Sequence, residues 1–269
     1  MRLAREALDA DLHVTATRDP AALDAWLVER LGAYETAVIV GGDGSFGTAY
    51  NVAARLGGAT VLGYIPAGFG NATAHLLGLP RDPEALVALL VRGTARPIDL
   101  VAVNGHLALF AGAGWDALVA GRYADAGARG MRGWAVAVGR SVPDLLRRVP
   151  VEVRADGWIV HRGPMTLMVV GTTPYYGRGL KVNPGARPDA GRLSLRIYPG
   201  PALSLAGEAV RWLAGARPTP TRIDAAEIEL RTLDGRHVPV QADGDLIGAS
   251  ASWRFEIRPK AVSLIGRWD

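Results

Sequence analysis

The residues best suited to chemistry fall in four short segments, two of which share one design. The first, Val38-Ile-Val-Gly-Gly-Asp-Gly-Ser45, runs an apolar stretch straight into glycines. The second, Gly63-Tyr-Ile-Pro-Ala-Gly-Phe-Gly-Asn-Ala-Thr-Ala-His75, does the same. Glycine lets a backbone approach a phosphate closely and aim N–H groups at it, and a helix starting just beyond adds a favourable dipole. Open α/β sheets bind ligands at the carboxyl ends of their strands, where such turns sit. Asp43 lies among three glycines with no neighbouring base, so it faces a phosphate well only with a divalent cation between them. A tight turn with Asp43 as helix cap explains the same residues. Asn71 and Thr73 suit a helix start or contacts to a sugar or phosphate, and His75 suits a helix surface better than a catalytic base.

The third segment, Pro174-Tyr-Tyr-Gly-Arg-Gly-Leu-Lys-Val-Asn-Pro-Gly-Ala186, is loop-like. Its Arg178 and Lys181 are phosphate-holding types, and Tyr175 and Tyr176 suit packing or a cleft wall. The fourth, Val240-Gln-Ala-Asp-Gly-Asp-Leu246, places Asp243 and Asp245 around one glycine. Two carboxylates in a turn are commonly turn residues only.

The elements that must carry these segments change character along the chain. Up to Arg96-Pro97 strand and helix patterns alternate. Strands are expected over 11–17, 37–40 and 60–65, with helices over 20–31, 46–56, 71–77 and 83–92. Asp19-Pro20 reads as a cap followed by proline at the first helical position. This rhythm predicts a doubly wound parallel sheet in an α/β domain over 1–97. Beyond it, strands are expected over 98–103, 107–111, 151–154, 157–161, 166–171, 192–198, 228–232, 237–242 and 252–257. Turn dipeptides separate them, with Asn104-Gly105 and Asp156-Gly157 the best hairpin signals and Asp234-Gly235 and Asp243-Gly244 also present. A helical stretch from about Trp115 to Arg148 and a second over 203–213 interrupt the strands. The second domain, 98–257, is therefore expected to be mostly antiparallel β with a helical insertion.

Composition removes several alternatives. The 269 residues include no cysteine, which excludes a disulfide scaffold, thiolate metal sites and a cysteine nucleophile. Half of the chain is apolar and the mean hydropathy is +0.14, which excludes global disorder. The net charge of +4 is too mild to argue for nucleic acid. Only Lys181 and Lys260 are lysines among 30 basic residues, so the basic side is almost wholly arginine. Glycines and Asp116 break the most apolar stretch, 107–120, short of a membrane span. The N-terminus has no apolar signal segment. A cytoplasmic location is expected, with peripheral contact at the inner membrane face.

Taken in order, the segments resemble the bacterial diacylglycerol kinase-like lipid kinases, a family that includes the sphingosine kinases. Gly41–Ser45 is similar to the family's GGDG-(T/S) loop, and Ile65–Pro80 to its P-x-G-T-x-N-D-x-A-R-x-L-G segment. Phe110–Val119 is similar to N-x-x-G-x-G-F-D-A, Pro174–Leu195 to its Y-x-G-G-G stretch, and Val240–Gly248 to V-Q-x-D-G-E. The GGDG loop alone is shared with NAD kinases; the ordered set is specific. The resemblance covers nearly the whole chain, although the chain starts after the strand and N-P-x-x-G loop with which the family begins.

The resemblance implies an α/β nucleotide-binding domain followed by a β-sandwich-like domain, with a C-terminal segment, here 258–269, returning to the first. It implies phosphoryl transfer from ATP, with Mg²⁺, to a lipid hydroxyl in a site between the domains. Thr17, Gly41, Gly42, Asp43, Gly44, Ser45, Gly68, Phe69, Gly70 and Asn71 would line the ATP site. Asp43 and Asp189 are the candidate metal ligands, and Asp43 and Asp245 the catalytic carboxylates, with Asp245 as base. Tyr176, Arg178, Lys181 and Asp243 would face the substrate. Ala72, Phe69 and Thr48 stand where the family carries Asp, Thr and Glu, Ala190 falls in its D-D-G pair, and Asp245 replaces a Glu. A member that binds nucleotide or lipid without strong catalysis is the second reading, and an NAD kinase-like enzyme the third. Helices over 115–146 mix Trp115, Met131 and Trp134 with Arg122, Arg129, Arg132 and Arg140, a pattern that suits an anionic membrane rim and equally a solvated helix with a buried seam. The sequence leaves a homodimer open and does not choose the acceptor lipid.

Overall fold

The computed structural model describes residues 13, 19–68, 70–127, 130–144, 146–176 and 179–268. It divides into two compact units, Met1–Ile98 with Lys260–Asp269, and Asp99–Pro259. The strand expected over 11–17 lies, but for His13, outside the described residues.

In the first unit, strand Thr36–Gly41 runs parallel to Val61–Pro66 in register from Thr36↔Val61 to Gly41↔Pro66. Ser263 and Leu264 of the C-terminal strand lie parallel on the other side of Val61–Pro66. That strand is thus central, and its Leu62, Gly63 and Tyr64 are buried. Helices Pro20–Arg30 and Pro83–Arg92 start by the same chemistry. Asp19 and Asp82 accept the amides of Ala21 and Ala85, and proline follows each cap. The helix after the first glycine turn runs Asp43–Arg55, three residues earlier than the apolar pattern indicates. It buries Phe46, Ala49, Tyr50, Val52 and Ala53, and Phe46 stacks on Tyr64 at 4.4 Å.

The second unit is an antiparallel sandwich. One sheet has the order Ile223–Ala225, Leu193–Tyr198, Leu167–Gly171, Phe110–Gly114, Val238–Ala242, Asp245–Ser250. The other includes Trp158–Met165, Val149–Ala155, Glu227–Thr232 and the start of Ser252–Gly266. Val153, Ile228 and Phe255 from one sheet meet Met168, Leu195 and Val240 from the other in one core. On its other face, Leu167, Val169 and Tyr198 of the six-stranded sheet pack with Leu205, Trp115 and Trp212. Helices Trp115–Ala124 and Leu205–Leu213 supply those last three.

Three turn dipeptides close two-residue hairpins. Asn104-Gly105, Asp156-Gly157 and Asp243-Gly244 all take positive φ at both positions, as the tight hairpin turn requires. Asp234-Gly235 does something else, because the strands on its two sides belong to different sheets. Two expected elements are divided. The 107–111 strand is two, His106–Ala108 and Phe110–Gly114, since the Leu109 and Phe110 amides turn to the Asp243 carboxylate. The long helical stretch from Trp115 is Trp115–Ala124 and Gly130–Arg140, with Gly127 and Gly130 in left-handed conformations at the break. Asp245–Ser250 is a strand that the sequence pattern does not reveal, and the last strand is 15 residues long rather than ending at 257.

Candidate functional site

In the first unit the two glycine turns touch backbone to backbone. A Cβ added to Gly68 would lie 2.5 Å from the Gly42 Cα, and one added to Gly42 would lie 3.2 Å from the Gly68 Cα. The Ala67 amide donates to the Gly41 carbonyl at 2.7 Å. Asp43 completes the junction: its Oδ2 accepts from the Ala72 amide at 2.9 Å and its Oδ1 from the Thr73 amide at 3.1 Å. It therefore caps the short Ala72–Leu76 helix from across the junction while sitting in the first turn of its own helix. A Cβ on Gly70 would press on this carboxylate at 2.9 Å.

Asn71 fixes the second turn. It adopts φ 49°, its Oδ1 accepts from the Gly68 amide at 3.0 Å and the Tyr64 hydroxyl at 3.2 Å, and its Nδ2 donates to the Gly68 carbonyl at 2.8 Å. Burial, and then the nearby Asp43 charge, push the Tyr64 hydroxyl far up, so it stays a donor. His75 is exposed on its helix. The Asp43–Arg55 helix has no side-chain cap at Gly42, and Gly44 is exposed with nothing within 4 Å of an added Cβ. The first amides of a helix have no partner inside it. Gly41, Gly42, Asp43, Gly44, Ser45, Gly68, Gly70 and Asn71 thus lie in or beside the two touching turns; Thr17 and Phe69 lie outside the described residues.

In the second unit the structure links residues that the motifs left separate. Asp116 Oδ2 accepts from the Tyr176 hydroxyl and from Gln241 Nε2, and Gln241 also contacts the Tyr176 hydroxyl. Gln241 Oε1 accepts from the Gly244 amide at 2.6 Å. The network runs from a buried carboxylate to the turn that carries Asp245. A Cβ at Gly112 would collide with the Asp116 carboxylate, so the glycine makes its room. Asp116 Oδ1 is buried without a partner, and desolvation holds this carboxyl above its usual range. Burial and Asp116 together raise the Tyr176 hydroxyl. Sequence reasoning included Asp116 and Gln241 in quoted segments but gave neither a role; the signal was Gly112 four residues before an acidic residue in an otherwise apolar run.

The other expected residues are placed as follows. Tyr176 packs on Phe110 at 4.3 Å, so it belongs to this network and not to an open wall. Asp243, at φ 49°, accepts the Leu109 and Phe110 amides and holds its hairpin. Asp245 reaches solvent, yet surrounding protein desolvates it enough to raise its carboxyl. Asp189 accepts from the Arg187 guanidinium at 3.1 and 3.2 Å. Lys181 is exposed, and Arg178 lies outside the described residues. A recess lined in part by Trp115, Asp144, Thr166 and His237 contains none of the expected residues. Among the described residues no three His, Asp or Glu side chains group as metal ligands.

Known proteins account for both units. Residues 2–103 match the model of the diacylglycerol kinase catalytic domain, and residues 110–266 that of the YegS C-terminal NAD kinase beta sandwich-like domain. A Klebsiella pneumoniae protein named "Probable lipid kinase YegS-like" is 24% identical over 94% of this chain and 85% of its own length. One of that name from Pseudomonas aeruginosa is 45% identical over 76 residues, where the match spans 28% of this chain and only 25% of that relative. The crystal structure of a diacylglycerol kinase from Bacillus anthracis superposes with a TM-score of 0.73 at 18% identity, covering 99% of this chain and 91% of that one. An NAD kinase from Archaeoglobus fulgidus, solved in complex with ATP, reaches 0.55 at 14% identity, over 98% and 87%. Those two likenesses speak for the fold. With both domain models matched in order, the chain belongs to the YegS-like and diacylglycerol kinase-like lipid kinase family.

Proposed function

We propose that this protein transfers the γ-phosphoryl group of ATP to the hydroxyl of a lipid. The observation that carries the reading is the Gly42–Gly68 junction, where two strand-to-helix turns meet with no side chain between them. Bare backbone, the open amides of the Asp43–Arg55 helix and its dipole are what a nucleotide phosphate needs. Asp43 contributes by position: it locks the second turn against the first, so that both present amides together. In the reaction the bond from the γ-phosphorus to the ADP oxygen breaks, the lipid oxygen bonds to phosphorus, and the hydroxyl proton leaves. Asp245 is the carboxylate we assign to take that proton, and its raised basicity favours the task.

The residues do not fit a protein-held Mg²⁺ site. Both Asp43 oxygens already accept amides, Asp189 is held by Arg187, and no third ligand joins either among the described residues. The metal therefore enters no step here. Among the described residues no helix is long and apolar enough to cross a membrane. Peripheral contact is supported by Met131, Trp134, Val142 and Leu146, which are exposed around Arg132 and Arg140.

The test is transfer from γ-labelled ATP to a bacterial lipid extract dispersed in detergent. Labelled lipid is expected, with Asp245→Asn lowering turnover by roughly 10²- to 10⁴-fold. If no lipid gains label while ATP still raises the melting temperature, the protein is a nucleotide-binding member and the kinase reading is lost. Asp43→Ala inactive beside a fully active Asp245→Asn would remove Asp245 from the mechanism.

A further inference from the structure

Helix Leu205–Leu213 is built the wrong way round for a helix facing water. Its inner side buries Glu208 beside Leu205, and both Glu208 oxygens accept the Thr219 amide, at 3.3 and 3.1 Å. Its outer side is aliphatic. Leu203, in the turn leading into the helix, is 65% exposed, Val210 66% and Leu213 75%. Steps of seven and three residues put these on one stripe of a helix, and Ala206 and Gly207, exposed between them, leave it smooth. A charge sits where a core residue is usual, and leucines sit where charges are usual.

The end of the stripe is cationic. Arg211 donates to the Arg217 carbonyl at 3.5 Å, which brings the two arginines together. The Lys181 Cδ lies 3.9 Å from where a Cβ on Gly215 would stand, so the lysine reaches the same helix end. Arg211 also meets Glu208 at 3.8 Å, but that carboxylate is mostly buried and turned inward. Arg217 and Lys181 are exposed. An aliphatic stripe beside positive charge matches the chemistry of a bilayer surface, with acyl chains for the leucines and anionic headgroups for the cations.

We infer that Leu203, Val210 and Leu213, with Arg211, Arg217 and Lys181 beside them, form a foot that docks this protein onto an anionic lipid bilayer. The inference deepens the lipid kinase reading by naming a surface through which the protein meets its substrate phase. It uses a different part of the sandwich unit from the Met131–Leu146 rim. Its test is read without nucleotide, by vesicle binding alone.

The experiment is flotation of the full chain with vesicles of phosphatidylcholine alone or mixed with phosphatidylglycerol, at low and high salt. The wild type is expected to float with the anionic vesicles and to be released by salt. The triple variant Leu203→Ser, Val210→Ser, Leu213→Ser is expected to lose at least about tenfold in partitioning, with an unchanged melting temperature because all three side chains are exposed. Lys181→Glu with Arg217→Glu should lose anionic selectivity. A triple variant that floats like the wild type overturns the inference, as does a wild type that never floats. So does light scattering that shows the triple variant turning a dimer into monomers with vesicle binding intact, since the stripe is then a subunit contact. Vesicle binding without phosphate transfer to any lipid would sink the kinase reading and leave the foot standing.

Discussion

The two units each hold a chemistry-bearing turn in place, and they do so by opposite means. At Gly42 and Gly68 the first unit removes side chains until two backbones touch, then ties them with one carboxylate. Around Asp116 the second unit fills its interior with Tyr176 and Gln241 and runs hydrogen bonds out to Gly244. A junction made by absence leaves amides open to a ligand. A network of packed side chains leaves no amide open to a ligand there, although Asp116 Oδ1 stays unpaired, and it holds the turn it reaches. The first suits binding a phosphate, the second suits positioning a residue.

The sharpest way to break this contrast is Gly68→Ala. The new methyl would sit 2.5 Å from a backbone atom that has no flexible end to move aside. We expect a loss of roughly 1–3 kcal/mol and no rise in melting temperature with ATP. Gly44→Ala is the control, because nothing lies within 4 Å of its new methyl; its stability should stay within about 0.5 kcal/mol. If Gly68→Ala keeps a wild-type response to ATP, the bare junction is not the phosphate cradle.

Gln241→Leu probes the other side. Gln241 is 2% exposed, and the change strips its donors from the Asp116 network and frees the Gly244 amide. A destabilisation of about 1–3 kcal/mol is expected from polar groups left buried and unpaired, with ATP binding untouched. Faster hydrogen exchange at Gly244 would locate the effect; unchanged exchange there would show that the network does not hold the turn.

The smallest effect is the dependence on pH. Burial raises the Asp116 carboxyl, so the folded chain holds that proton more tightly than the unfolded chain does. The stability this contributes is full below the ordinary carboxyl range of about 4 and is lost as pH rises through the higher folded value. Asp116→Asn does not titrate. The wild type should therefore lose melting temperature relative to it on going from acid to neutral pH. A constant difference across that range would mean that Asp116 is not desolvated.

What the sequence revealed follows from how local each cause is. Helix starts at Asp19-Pro20 and Asp82-Pro83, and hairpins at Asn104-Gly105 and Asp156-Gly157, depend on two or three adjacent residues and were legible. The glycine turns were legible as loops facing each other, but not that Asp43 reaches across to Ala72 and Thr73, since its role depends on the spacing of two strands. The same limit hid the Asp116 network, whose members come from 116, 176 and 241 and meet only after the sheet has formed. The break in the 107–111 strand was hidden because its cause, Asp243, is more than a hundred residues away. Asp189 shows the reverse: a carboxylate placed by motif is engaged by Arg187, two residues before it.

The course of the C-terminal strand has a consequence for the order in which the protein can be made. Ser263 and Leu264 pair with Val61 and Leu62, Ile265 packs with Leu86 and Leu90, and the Arg267 amide and Trp268 indole donate to the Leu77 and Thr94 carbonyls. The first unit is thus finished by residues 260–268, which are synthesised after the whole of residues 99–259. Until then its central strand has an open side, and the phosphate-facing turns rest on a sheet with a missing neighbour. The sandwich, by contrast, has nearly all of its strands by residue 259. In synthesis the second unit can close before the first, and a nascent chain cut before Lys260 would present an unpaired strand edge to its neighbours.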